Sequence, residues 1–189
     1  MTKKKGYLIL GLLLFCAGCG GTGGERFIHP EFDFSFIEKV GVVPFENLSG
    51  EQGAGARATR YLVNSLLASE SFTVAEPGEV ANALSKVGVI RTAELTRDQI
   101  TQVGRELGVQ GLFLGSVSES ASVRSGSNNV SVVTVVLRLV ETETGETVWS
   151  VTQSEDSQGF WSSLLGTSQA SRGEVTRKCL DKCLGTLLD

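Results

Sequence analysis

The chain has 189 residues, 41% of them hydrophobic and 20% charged, which suits one substantial folded domain and excludes general disorder. Its formal net charge is -4. Loss of residues 1–18 would remove three lysines and no acid, leaving 14 of the 17 basic side chains against all 21 acidic ones, a formal net of -7. An acidic mature domain has no global pull toward nucleic acid, and a polybasic surface cannot hold it to a membrane.

The first element in chain order is a three-part export signal. Lys3, Lys4 and Lys5 precede an apolar run from Tyr7 to Phe15, and small residues follow at Ala17 and Gly18. The run is too short to span a bilayer as an ordinary helix, which takes about 20 residues. The sequence Cys16-Ala17-Gly18-Cys19 resembles a bacterial lipobox, with Cys16 in place of the usual apolar residue. That resemblance implies cleavage after residue 18 and acylation of Cys19; two or more chains give stable anchoring where one gives only reversible binding. Gly20, where an aspartate would signal inner-membrane retention, implies delivery to the outer membrane, facing the periplasm.

Residues 19–37 read as a lipidated tether. Gly20-Gly21-Thr22-Gly23-Gly24 has little to bury. Phe27, Ile28, Phe32, Phe34 and Phe36 follow, interrupted by Pro30; they pack back over the domain or against a partner or second subunit. His29 stands without metal-ligand spacing around it, an ordinary packing or surface histidine.

Residues 38–189 read as one domain. Lys39 to Phe45 is β-branched and predicts a first strand that Pro44 places near an edge or bulge. Glu46 to Gly50 predicts a loop held by Asn47 and Ser49. A helix is expected over residues 54–69, with Ala58, Leu62 and Leu66 on one stripe, then a short strand over 72–75. Pro77 opens a helix to about Lys86, with Val80 and Leu84 inward. Thr96 and Gln99 form a capping box for a helix carrying Ile100, Val103 and Leu107, stopped at Gly108. Three strands follow, over about 109–123, 130–140 and 147–152. The middle one presents Val133, Val135, Leu137 and Leu139 on one face. Arg138 reads as an exposed charge on the less covered face, or one that snorkels or meets an acid. Glu141, Glu143 and Glu146 read as a solvated turn around Gly145. A last helix aligns Val175, Cys179 and Cys183 with Leu180 and Leu184. The order is strand-helix-strand-helix-helix, a three-strand meander and a C-terminal helix: an α/β (α+β) fold with helices flanking a mixed sheet.

Val40-Gly41-Val42-Val43-Pro44-Phe45-Glu46-Asn47-Leu48-Ser49-Gly50, the passage from Leu107 to Val117, Val136 to Val140, and Thr144-Gly145-Glu146-Thr147-Val148-Trp149 together resemble a superfamily of bacterial envelope lipoproteins. It includes the curli secretion channel subunits, the outer-membrane activators of penicillin-binding proteins and the TolB N-terminal domain. The resemblance implies a TolB N-terminal-domain-like fold and a non-catalytic lipoprotein that helps assemble or regulate an envelope protein complex, with a homo-oligomer possible. The alternative is an oligomeric curli-like secretion channel component. Against it, residues 117–137 hold one modest hairpin and 153–172 are too irregular for a second. Phe160, Trp161, Leu164 and Leu165 in that segment are candidates for partner or membrane contact.

An enzyme of unknown class is the least supported reading. The phosphate-cradling glycine loop is missing, and the single histidine lies in the extension, away from any serine that it would activate. No cofactor, metal or nucleic-acid partner is expected. Cys179 and Cys183 stand one helical turn apart, small core residues in preference to a strained disulfide or a metal contact.

Overall fold

The computed structural model describes residues 24–125, 128–157 and 170–188. The signal segment, Cys19 and the contact candidates Phe160, Trp161, Leu164 and Leu165 lie outside the described residues. In chain order come β1 (Glu25–Ile28), β2 (Lys39–Val42), β3 (Glu46–Asn47), α1 (Ala54–Ser69), β4 (Thr73–Val74), α2 (Pro77–Val87) and α3 (Arg97–Leu107). Then follow β5 (Gly111–Ser125), β6 (Asn128–Glu141), β7 (Thr147–Asp156) and α4 (Arg172–Leu188). The sheet runs β1-β7-β6-β5-β2-β4, with β3 also pairing β5. β1, β7, β6 and β5 pair antiparallel, whereas β2 pairs parallel with both β5 and β4.

Proline explains the first departure from the sequence expectation. Pro44 has no N–H to give a ladder, so β2 ends at Val42 rather than running to Phe45. The Phe45 N–H turns to Thr59 Oγ1 at 2.8 Å. The chain then resumes pairing as β3, with Glu46 opposite Ser116 and Asn47 opposite Val117, where a loop was expected. The local bonds of Asn47 and Ser49 form as expected: the Ser49 amide and hydroxyl both donate to Asn47 Oδ1, at 3.1 and 2.7 Å.

The helices follow their signals closely. Pro77 takes the first turn of α2. The Gln99 amide donates to Thr96 Oγ1 at 3.2 Å and the Thr96 amide to Gln99 Oε1 at 3.1 Å, the reciprocal capping box of α3. A second box opens α4, where Ser171 and Glu174 exchange bonds of the same kind.

Both sheet faces are used, to different extents. α1 and α4 pack on one face, burying Ala58, Leu62, Leu66, Cys179, Leu180 and Cys183 against Phe113, Val135, Leu137, Leu139 and Trp149. Each buried leucine, valine or phenylalanine among them contributes roughly 1.5–3 kcal/mol. α2 and α3 lie against β2 and β5 on the opposite face, with Val80, Ile100, Val103 and Leu107 over Leu112, Leu114 and Val140. α3 approaches closely because residue 104 is glycine: a Cβ there would fall 2.4 Å from Thr142 Cβ.

The turn after β6 corrects another expectation. Glu141 is buried, not solvated. Its carboxylate accepts from the Glu143 amide, the Thr144 amide and the Thr144 hydroxyl, which offsets the cost of burying the charge. Glu143 and Glu146 are exposed. Gly145 supplies the positive φ of 68° that the turn needs.

The N-terminal extension folds back. β1 lines up Glu25 with Thr152 and Ile28 with Trp149, forming the sheet edge within the stretch expected as tether. Phe32 and Phe34 pack on the core, whereas Phe27, Ile28 and Phe36 stay exposed. His29 packs edge-on to Phe27 and Phe32 and accepts from the Glu31 amide at 3.3 Å.

Candidate functional site

The uneven coverage of the sheet creates one open surface. Along β6 the residues under α1 and α4 are fully buried, whereas Thr134, Val136 and Arg138 between them are only half-buried. Register extends this face across the neighbouring strands. Arg138 lies between Leu114 and Ser150, and Ser150 opposite Phe27. The next row is Ser116, Val136, Thr152 and Glu25. Thr134 donates to Ser154 Oγ at 3.0 Å one row further on. The result is a broad polar and β-branched surface with an exposed phenylalanine at one edge and a guanidinium within it.

Arg138 is the chemically distinct group on this face. Burial by its neighbours pushes its pKa down from the usual arginine value, and it makes no ion pair or side-chain hydrogen bond with another described residue. Arginine remains charged under these conditions. A half-desolvated guanidinium with no side-chain partner among the described residues suits a carboxylate brought by another molecule. The sequence marked it as a charge in an apolar strand; only the sheet register shows which face it occupies.

Two other charged clusters are already spent on structure. The Arg57 guanidinium grips the Glu51 carboxylate through two bonds of 2.9 and 2.7 Å, the buried Ser120 hydroxyl donates to the same carboxylate, and Arg172 stands 3.6 Å away. This ties the loop after β3 to α1, β5 and the start of α4, and the Arg57 bond holds the Glu51 pKa below the usual glutamate value. Glu155 is buried on β7 and meets Lys178 at 3.0 Å and Lys182 from α4. Burial pushes the Glu155 pKa up, but the Lys182, Lys178 and Gln153 bonds together outweigh it, and the net shift is downward. Arg57 is therefore held in an internal pair.

Cys179 and Cys183 are free and fully buried. The Cys179 thiol points to the Gln153 carbonyl at 3.2 Å. Its bond to Cys183, together with burial, pushes the Cys183 thiol far up, into an unreactive state. A cleft beside α3 is lined by Phe36, Arg105, Gln110, Glu141 and Glu143. Glu141 is already occupied by its turn donors, so the charged groups left in the cleft are Arg105 and Glu143. Among the described residues, no three of His, Cys, Asp and Glu come together to hold a metal ion.

The family model described as peptidoglycan-synthase activator LpoB matches residues 38–154, from just before β2 almost to the end of β7. Several solved structures share the fold. PelC from Paraburkholderia phytofirmans, present there as a dodecamer, is 19% identical with a TM-score of 0.56, over 85% of this chain and 95% of that one. The lipoprotein GNA1162 from Neisseria meningitidis is 17% identical with a TM-score of 0.56, over 80% of this chain and 95% of that one. No curated protein sequence matches the chain significantly. The family match covers more than half of the chain, and with it the strand-helix order and the Thr-Gly turn read from the sequence find their place: the chain belongs to the family of the peptidoglycan-synthase activator LpoB, non-catalytic envelope lipoproteins.

Proposed function

We propose that the mature chain starts at acylated Cys19, sits on the outer membrane facing the periplasm, and binds and regulates a cell-wall synthase through the open sheet face around Arg138. Residues 1–18 are the signal peptide, the glycine stretch after Cys19 is the tether, and the remainder is the binding domain. The family's role as a synthase activator supports the choice of partner. The half-buried guanidinium of Arg138, without an ion pair among the described residues, supports the choice of surface. Phe160, Trp161, Leu164 and Leu165 are a second contact, with partner or membrane, in the segment that leaves β7 after Ser157 and returns at Ala170.

A photocrosslinker at Ser150, beside Arg138, tests this in membranes. The expected adduct is a peptidoglycan synthase identified by mass spectrometry, and Arg138→Glu is expected to cut its yield at least tenfold while the far-ultraviolet spectrum of the domain stays unchanged. Adduct formation indifferent to Arg138→Glu would refute the assigned surface.

One observation favours the alternative, an oligomeric secretion-channel component: β5 and β6 have 15 and 14 residues, more than the 9–11 that a spanning strand requires. Yet Ser120 and Val133 within them are buried under helices and the Glu51 loop, a packing that a membrane barrel would have to abandon. Mass measurement after detergent extraction separates the two: the activator reading expects no large ring and no ion conductance.

A further inference from the structure

We infer that the outer edge of β1 pairs with β1 of a second copy of this chain, antiparallel and across a twofold axis, so that two sheets run on into one. Strand register shows what the edge offers. β1 ends the sheet on the side of β7, and among the described residues no strand lies beyond it. The His29 amide donates to the Val148 carbonyl at 2.8 Å. Antiparallel pairing alternates, so Phe27 opposite Ser150 and Glu25 opposite Thr152 also turn their backbone groups to β7. Arg26 and Ile28 therefore turn theirs outward. All four strand residues are exposed, Phe27 to 45% and Ile28 to 41%. An edge of this kind is a template for a further strand.

The residues select both the occupant and the register. Setting Phe27 opposite Phe27 of the second copy places Arg26 opposite Ile28 and Ile28 opposite Arg26, so every outward N–H and C=O finds a partner. The two phenylalanines then form a non-hydrogen-bonded pair, with Cα atoms ~4.5 Å apart and side chains at their closest. Glu25 comes opposite His29 of the second copy. His29 Nδ1 accepts from the Glu31 amide, which leaves Nε2 to carry the ring hydrogen and donate to that carboxylate. Sliding the register one way sets Arg26 opposite Arg26, two like charges. Sliding it the other way sets Arg26 opposite Pro30, which has no N–H to give. The groups this strand needs opposite it are those it carries itself, and such an isologous pair closes without growing further.

The pairing also extends the surface around Arg138. A twofold axis normal to the sheet keeps the same face upward in both copies. Arg138, Ser150 and Phe27 share one row across β6, β7 and β1, and the row continues into Phe27, Ser150 and Arg138 of the second copy. At ~4.8 Å per strand the two Arg138 backbones stand about 24 Å apart on one continuous face. A four-residue edge falls short of the roughly 1,200 Å² that a stable interface in solution buries. The pair therefore needs the raised local concentration of chains held on one membrane, and in that respect it rests on the proposed acylation of Cys19.

The test is disulfide trapping of the full chain in native membranes. Arg26→Cys, Phe27→Cys and Ile28→Cys variants are mildly oxidised and covalent dimer is read on non-reducing gels; peptide mapping places the bond and reports whether Cys19 is acylated. The native thiols of Cys179 and Cys183 are buried and do not compete. Residue 27 is expected to cross-link at least tenfold more than 26 or 28, because its Cα pair alone falls within the ~4.4–6.8 Å that a disulfide spans. Ile28→Pro removes an outward N–H and leaves the β7 ladder whole. Added to Phe27→Cys, it is expected to cut the dimer at least fivefold with the far-ultraviolet spectrum unchanged. In a chain shown to be acylated, cross-linking at 27 that is absent, no greater than at 26 and 28, or undiminished by Ile28→Pro overturns the pairing alone. An unacylated chain overturns the anchoring reading and, with it, the pairing that depends on a shared membrane.

Discussion

At the scale of single residues, charge pairs and close approaches carry the sharpest consequences. Glu51 accepts two bonds from Arg57 and one from Ser120. Charge-assisted bonds of this kind are worth ~1.5–3 kcal/mol, so Glu51→Ala should lower unfolding stability by about that amount in urea titration. The pH dependence follows from the same pairs. Glu51 and Glu155 both have values lowered below the ordinary 4.5 in the folded chain. Their contribution is complete above about pH 4.5 and disappears as pH falls through the lowered folded values. Acid titration of the wild type should therefore show a steep loss of stability below pH 4.5, and Glu51→Gln should flatten part of it. Gly104→Ala pushes a methyl group into Thr142; overpacking of this sort costs ~1–3 kcal/mol, and a Tm drop without loss of helical signal is expected.

Element by element, caps and edges decide what the sequence made readable. α3 was legible to the residue because Thr96, Gln99 and Gly108 announce both of its ends, and Thr96→Ala should cost about 1 kcal/mol in thermal unfolding. The box at Ser171 and Glu174 is equally written in the sequence, as a Ser followed three places later by Glu. β3 was not legible, because two residues carry no periodicity and their pairing depends on where Pro44 breaks β2. β1 was hidden for a similar reason: Glu25–Ile28 alternates poorly and is strand only because β7 offers it an edge. Glu141 and Glu143 look alike in sequence; the Glu143 and Thr144 donors closing on Glu141 separate a buried turn carboxylate from a solvated one. Arg138 stands out in the sequence as a charge in an apolar strand, but the face it occupies emerges from long-range register, which no local pattern encodes.

For the molecule as a whole, the fold divides its work between two faces and two ends. One sheet face is sealed by α1 and α4 with Trp149 fully buried at its centre, and supplies the stability that a rigid binding platform needs. Trp149→Ala should cost ~3–5 kcal/mol and expose the same defect in every assay, in contrast to Arg138→Glu, which should spare stability and remove partner capture. Beyond α2 and α3 the other face carries the half-buried Thr134, Val136 and Arg138, and β1 starts toward the end of the sheet from which the long hairpin projects. In the proposed function, location and recognition depend on separate parts of the molecule. The first rests on the acylation proposed at Cys19, and the measurement that bears on it most directly is the intact mass of protein extracted from native membranes. The account predicts a chain that begins at Cys19 and carries a diacylglyceryl group with a further acyl chain; a chain that retains residues 1–18, or that begins there without lipid, would contradict it.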